Sequence, residues 1–537
     1  MTTINNIMDE IIGQTVNLKN ERKIERKFTL LPYLVFTLLL MFGLGIRLWH
    51  IGHSALPFSF DPYYHMATSA SIIETKQVSN KLAYDAGKAG TAYPPLLSIT
   101  GAIASESGFN IISFYRYGTI VITTLIALLL LIFLRNFFPP WPSVLGAISY
   151  ISLPYVFSRT ILTLPENLSV MFVLLVLVLL ALYNRQKSTR GRALAAIGIL
   201  LAITLDYYTH YTYLLSILFV VVYMLLKSIE RRKWISLIIM LATCAVAGYF
   251  IWKRISGTIH FEWPAMWSIN KNFGEIGFWV GDLGLIAAFI IGLRKQPEKL
   301  VLLFTVVIPL IAGWVLFRGS GQGLGSLEPE RWLIFASIAI AIGISATFYI
   351  VLSIKWQSVS IVLTLILAIT ILWPRWSNAW PAIYNPAEYE AAIYIKDNIS
   401  QDALYFSQPV LEWLLRGVSN RYVIVGHNKP FDSLGATSFS NLSIAVKKYG
   451  YSQGYVVFSD NPNNPDNITL MSDGSEKKLD LSGELETPNI DKSRFECLEQ
   501  VWTNETVTIY KVPTADELPK VEKCEKKTYN SKLKAQK

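Results

Sequence analysis

The chain has 537 residues, of which 52% are apolar and only 16% charged, with a formal net charge of +10. The apolar letters fall in repeated long blocks, which excludes a string of soluble domains and indicates a polytopic membrane protein. Its lysines and arginines gather in short loops between blocks and at both ends, which fits retention on the cytoplasmic side and argues against nucleic acid as a partner.

Residues 1–27 are polar and end in NLKNERKIERK, so the positive-inside rule places the N-terminus in the cytoplasm. The first apolar run, about Thr29 to Trp49, is long and lacks a small-residue cleavage site, and reads as a signal anchor that stays. Asp61 then falls outside, in a long loop whose stretches Met66–Ile73 and Pro94–Ala104 read as interfacial helices. Span two covers about Tyr117 to Leu134, and span three about Pro142 to Phe157. The short outer connection SRTILTLPEN follows, with Arg159 and Glu166. Spans four (about Leu168 to Tyr183), five (Ala193 to Leu205) and six (Tyr211 to Leu226) alternate with the basic inner loops NRQKSTRGR and KSIERRK, and the outer turn DYYTHYTY carries Asp206 and His210. Spans seven (about Trp234 to Trp252), eight (Phe278 to Leu293) and nine (Leu300 to Phe317) lead to a glycine-rich outer loop closed by Glu328 and Glu330. Spans ten (about Trp332 to Ile354) and eleven (Val359 to Trp373) complete an odd number, which places the tail outside.

The tail mixes short apolar strands, RYVIVG and GYVVFS, with helical stretches such as EYEAAIYIKDNI, the pattern of a small α/β domain. It holds four N-glycosylation acceptor patterns, at Asn398, Asn441, Asn467 and Asn504, in keeping with an outward domain. Cys497 and Cys524 both lie in it and form a candidate disulfide if the compartment is oxidising, whereas Cys244 sits in an apolar run as a packing residue. The expected fold class is a polytopic α-helical membrane protein of about 11 to 13 spans with a C-terminal extracytoplasmic α/β domain. Its expected segments are a cytoplasmic 1–27, a membrane domain 28–376 with outer loops 50–116, 158–167 and 318–331, an α/β domain 377–518 and a lysine-rich tail 519–537.

Three outer loops carry carboxylates, and two of them an arginine close by. Charges at membrane depth are expensive and usually functional. Asp61, Glu166 and Glu328 or Glu330 are oxygen ligands from separate loops, a set suited to Mg²⁺ or Mn²⁺, and Arg159 and Arg331 are shaped to hold a phosphate. The plain alternatives are that each is a solvated or paired interfacial charge, and that Asp61 before Pro62 caps a helix.

The stretch FDPYYHM, with YPPL about thirty residues later, resembles the first outer loop of the catalytic subunit of oligosaccharyltransferases, of the GT-C glycosyltransferase group. LPYVFSRTILTLPEN is similar to that family's second acidic motif, with Glu166 at its first acidic position and Leu168 in place of the second. The resemblance implies an inverting transfer of a sugar or oligosaccharide from a polyprenyl (diphospho)lipid donor to an extracytoplasmic acceptor, Asn of a protein first. It implies Asp61 and Glu328 as catalytic residues, Asp61, Glu166 and Glu328 as metal ligands, and Arg159, Arg331 and His210 on the donor phosphate. Trp413, Tyr63 and Tyr64 would stand on the acceptor side. It further implies membrane lipid as a partner and the plasma membrane of an archaeon or bacterium as the location. The family's Trp-Trp-Asp-Tyr-Gly signature, which reads the acceptor hydroxyl, is absent from FSQPVLEWLLRGVSNRYVIVGHN, although Trp413 and the run from Ser419 to Arg421 stand in similar places. A GT-C transferase acting on a lipid, glycan or hydroxyl acceptor is the alternative. A transporter is less favoured, because the ionisable groups cluster at the outer ends of the spans and not at mid-span.

Overall fold

The computed structural model describes residues 30–58, 61–78, 94–210, 212–230, 280–288, 290, 297–318, 329–354, 357–372, 384–407, 409–419, 421–425, 438–461, 468–469, 478–479 and 492–525. In chain order the first helices are α1 (Leu31–Gly52), α2 (Asp61–Thr75), α3 (Leu96–Glu106), α4 (Ile111–Leu134), α5 (Pro140–Ser152) and α6 (Pro154–Thr160). There follow α7 (Pro165–Arg185), α8 (Thr189–Tyr207), α9 (Tyr213–Glu230), α10 (Pro297–Arg318), α11 (Pro329–Leu352) and α12 (Gln357–Leu372). The tail contributes α13 (Pro386–Asn398), β1 (Ala403–Ser407), α14 (Pro409–Leu414), β2 (Tyr422–Val425), α15 (Phe439–Lys448), β3 (Gln453–Ser459), β4 (Ile468–Thr469), β5 (Lys478–Leu479), β6 (Gln500–Thr503) and β7 (Val507–Lys511). Two compact units result: Met1–His50 with Thr119–Ala379, and Ile51–Gly118 with Trp380–Lys537.

In the first unit the long apolar runs become helices because a backbone among apolar surroundings must satisfy its own polar groups. Among the described residues, four helices are long and apolar enough to cross a membrane: Leu31–Gly52, Ile111–Leu134, Pro165–Arg185 and Ile334–Leu352. These coincide with expected spans one, two, four and ten. Expected span three is not continuous, since α5 ends at Ser152 and α6 restarts at Pro154. Leu153 between them is extended (φ −56°, ψ 132°), as steric clash with the following proline ring requires. Span seven lies outside the described residues, and span eight overlaps only the helical segment 280–288. Helices α5 and α11 cross closely: a Cβ on Gly146 would stand 2.9 Å from the Ala341 carbonyl oxygen, and Tyr150 donates to the Ile334 carbonyl at 2.9 Å. Arg47 of α1, 1% exposed, donates to the carbonyls of Gly43 and Ile151 and to the Thr160 hydroxyl, and lies over the Phe157 ring.

The second unit is built on a five-stranded sheet of order β2-β1-β3-β7-β6. Strand β1 pairs parallel with β2 and β3, while β7 is antiparallel to β3 and β6. Every residue of β1 is buried, because both faces of the sheet are covered. Side chains alternate along the strands. Tyr405, Tyr455, Val457, Val507 and Ile509 enter one core, and Leu404, Phe406, Val456, Phe458 and Tyr510 the other.

The first of these cores also contains Leu56, Tyr63, Met66, Leu97 and Tyr115. The outer loop 50–116, which the sequence attaches to the membrane domain, therefore shares its packing with the tail. The stretches expected to lie along a membrane surface form α2 and α3, whose apolar faces enter that core. Past expected boundary 518, residues 518–525 are helical and Cys524 is disulfide-bonded to Cys497 (Cα–Cα 5.8 Å). The ordered domain thus extends into the stretch expected to be a mobile lysine-rich tail.

Candidate active site

In the first unit the connection between α6 and α7 is fixed by polar side chains. Asn167 Nδ2 donates to the carbonyls of Arg159 (2.9 Å) and Leu162 (2.7 Å), and Thr119 donates to the Thr160 carbonyl. This clamp brings Arg159 Nη2 to 3.0 Å from Glu166 Oε1, an ion pair with both partners largely buried. Glu166 follows Pro165 in the first turn of α7, where the helix dipole favours a carboxylate. Leu168, at the second acidic position of the resembled motif, packs against the membrane core. His210 is fully buried, with Nδ1 at 2.9 Å from Thr212 Oγ1.

In the second unit Asp61 opens α2, again beside a proline, Pro62. The residues after it are held by the tail. Tyr63 is fully buried, donates to the Pro57 carbonyl at 3.2 Å and meets Tyr384 edge-on, with centroids 4.8 Å apart. Burial first, then the charges of Glu388 and Tyr389, holds its phenol well above the usual range, so it remains a donor. Its ring is a packing element of the core shared with the tail. Tyr64 is half-buried and lies edge-on to Trp413 at 5.2 Å.

Trp413 stands in the last turn of α14, which leads into a π-helical turn, Leu415–Ser419, packed against α2. A Cβ on Gly417 would stand 2.8 Å from the Tyr63 carbonyl oxygen, so a glycine is required for this approach. Arg416 pairs with Glu412 at 2.8 Å, donates to the Val423 carbonyl at 2.9 Å and lies over the Trp413 ring at 5.3 Å. Arg421 donates to the carbonyls of Lys396 (3.1 Å) and Ile399 (2.9 Å), closing the C-terminal end of α13. The arginines of this segment are thus tied into the domain.

Asp61 belongs to one unit and Glu166 to the other. Glu328 lies outside the described residues. Arg331 stands in the first turn of α11, with its side chain outside the described set. Among the described residues no three His, Cys, Asp or Glu side chains converge as a metal site. The sequence reading missed Arg47 and the hydroxyls of Ser169, Thr212 and Ser216, which gather around Asp206. Only the carboxylate beside His210 signalled that cluster.

No protein-family model matches the chain, and a comparison with curated proteins finds no relative. Solved structures do match. The archaeal oligosaccharyltransferase AglB from Archaeoglobus fulgidus, in complex with an inhibitory peptide and a dolichol-phosphate, superposes with a TM-score of 0.60 at 13% identity, over 79% of this chain and 69% of that one. The same oligosaccharyltransferase in complex with Zn and sulfate gives 0.53 at 15% identity, over 78% and 68%. ArnT from Cupriavidus metallidurans in the apo state gives 0.52 at 12% identity, over 90% and 98%. Both neighbours are GT-C glycosyltransferases, and their fold is the fold of this chain.

Proposed function

We propose that this chain is a membrane glycosyltransferase, moving a sugar or oligosaccharide from a polyprenyl-phosphate or polyprenyl-diphosphate lipid to an acceptor on the extracytoplasmic side. Asn of a protein is the leading acceptor. The reading is carried by one observation: the two described carboxylates singled out by the motifs, Asp61 and Glu166, each stand in the first turn of a helix beside a proline, within a fold shared with AglB over most of the chain.

Chemically, the bond between the sugar's anomeric carbon and phosphate oxygen breaks with its electrons on the phosphate, while the acceptor's N or O forms the new bond and sheds a proton. Arg159, oriented by Glu166, and Arg331 stabilise the departing phosphate, for which preorganised cations serve best where water is scarce. His210 contacts the same group. Asp61 orients the acceptor, with inversion at the sugar carbon, and Tyr64 and Trp413 line the acceptor side. A donor set of carboxylate oxygens without sulfur suits Mg²⁺ or Mn²⁺, for which Asp61, Glu166 and Glu328 would be the candidate ligands. When bound, the ion would neutralise charge on the phosphate. That an oligosaccharyltransferase of this fold crystallises in complex with Zn and sulfate supports a metal ion as a partner of the fold.

A second reading, transfer to a lipid, glycan or hydroxyl acceptor, is supported by the missing acceptor signature. The test is purified protein with a membrane lipid extract, divalent cation and a fluorescent Asn-x-Thr peptide. A mobility shift abolished by Asp61→Ala supports the protein acceptor. Sugar transfer to lipid or glycan with the peptide untouched supports the second reading, and no transfer to any acceptor refutes both.

A further inference from the structure

The last turn of helix α8 carries a carboxylate that the transfer step above does not use. Asp206 is fully buried, and each of its oxygens meets a hydroxyl: Ser169 donates to Oδ1, and Ser216 to Oδ2 at 2.6 Å. Ser169 Oγ also lies 2.6 Å from Thr212 Oγ1, which lies 2.9 Å from His210 Nδ1. Carboxylate, hydroxyl, hydroxyl and imidazole form an unbroken file, drawn from α7, α8 and the turn before α9. The main chain fixes its ends, since the amides of Thr209 and His210 both donate to the Asp206 carbonyl at 2.9 Å.

Each hydroxyl has one proton to give, so the file has two self-consistent arrangements. In the first, Asp206 is ionised, Ser169 donates to it, Thr212 donates to Ser169, and the Nδ1–H of His210 donates to Thr212. In the second every bond is reversed: protonated Asp206 donates to Ser169, Ser169 to Thr212, and Thr212 to a bare Nδ1. The Thr212 amide, 3.3 Å from Nδ1, donates to the same acceptor. No heavy atom has to move between the two. Passing from the first to the second takes up one proton. It binds at Nε2, the Nδ1–H bond breaks, and each hydroxyl hands its proton on until Asp206 Oδ1 holds one.

We propose that His210, Thr212, Ser169 and Asp206 are a relay that accepts one proton at the imidazole and stores it on the buried carboxylate. For the source of that proton the proposal rests on the glycosyl-transfer reading, in which the acceptor loses a proton as its bond to sugar forms. Charge balances, because the leaving phosphate gains one negative charge and the relay loses one. Asp206 and the two hydroxyls act through His210 and are positioning residues. Among the described residues the other titratable groups at this end of the packed helices are Glu166 with Arg159, Tyr207, Tyr208 and Tyr213, while Arg185, Arg190, Arg192 and Lys227 stand at the opposite ends.

Histidine ring-nitrogen NMR on the full-length protein in detergent, with the infrared band of a protonated carboxyl followed on the same samples, tests the relay without requiring activity. The relay predicts that His210 changes from Nδ1–H to Nε2–H in the same pH step in which the Asp206 carboxyl band appears. Asp206→Asn removes both changes. Thr212→Val, equal in shape but without the hydroxyl, uncouples them, Thr212→Ser restores the coupling, and Ser216→Ala, off the path, leaves it intact. A single His210 tautomer across the carboxyl step, or coupling that survives Thr212→Val, overturns the proposal. Coupling in a protein that transfers no sugar upholds the relay and sinks the transfer reading, whereas transfer without coupling does the reverse.

Discussion

Among the described residues each unit holds a carboxylate with no exposed surface, Asp206 in the first and Glu388 in the second, and the two are held in opposite ways. Glu388, in α13, accepts from the Asn385 amide (2.9 Å), Asn461 Nδ2 (3.0 Å) and the Ser459 hydroxyl (2.6 Å). The Ser459 oxygen is itself committed to the Asn461 amide at 3.2 Å, so its proton points at Glu388. Asp206 is instead met by Ser169 and Ser216, whose hydroxyls can turn. Donors that cannot turn specify one charge state and belong to architecture. Hydroxyls that can turn tolerate two, and give a buried group the freedom that chemistry needs.

The sharpest way to break this contrast is truncation of the fixed site. Glu388→Ala leaves two buried donors and one part-buried amide without an acceptor and should destabilise the second unit by about 4 kcal/mol, read as faster hydrogen exchange across residues 384–407 of the full-length protein. Unchanged exchange there would mean that the donors hold nothing. Next in size is the Cys497–Cys524 bond, which spans 27 residues. Opening it with reductant should lower the stability of the same unit by about 3 kcal/mol, and a control lacking both cysteines should show no response to reductant.

Isosteric amides compare the two carboxylates directly. Glu388→Gln should cost about 2 kcal/mol because charge-assisted bonds are lost, and Asp206→Asn about 1 kcal/mol or less because its hydroxyls can reverse. Thermal unfolding of both variants decides, and a reversed order breaks the contrast. The smallest effect is at Glu517, whose carboxyl is held below its usual range first by the Thr514 backbone amide, which donates at 2.8 Å. A depressed folded value means that its contribution is present above the ordinary carboxylate range and lost as pH falls through the folded value. The small stability gap between wild type and Glu517→Gln should therefore close in acid.

Much of this was legible in the residues. Asp61-Pro62 announces a helix start, and the carboxylate stands there; Glu166, expected in an outer connection, stands in the first turn of α7 as well. Apolar blocks of full length gave α1, α4, α7 and α11, and the spacing of short strands in the tail anticipated the sheet. Pro154 was visible too, but an apolar run on both sides of it reads as one span, and only the extended Leu153 reveals two helices. The packing of Tyr63 and Met66 into a core made by residues more than three hundred positions away left no local pattern. Nor did the Asp206 file, because Ser169, Thr212 and Ser216 are ordinary letters in apolar runs until three segments bring them together. Arg47 was hidden in the same way, a cation inside an apolar run whose partners come from α5 and α6.

The central claim is transfer from a lipid-linked donor that depends on Asp61. Its most direct test is the release of polyprenyl phosphate or diphosphate from a radiolabelled lipid-linked sugar, measured for the purified wild type and for Asp61→Ala of equal thermal stability. The account predicts steady release by the wild type and a fall of about 100-fold or more in the variant. Equal rates in the two proteins, or none in the wild type with acceptor and divalent cation supplied, would contradict it.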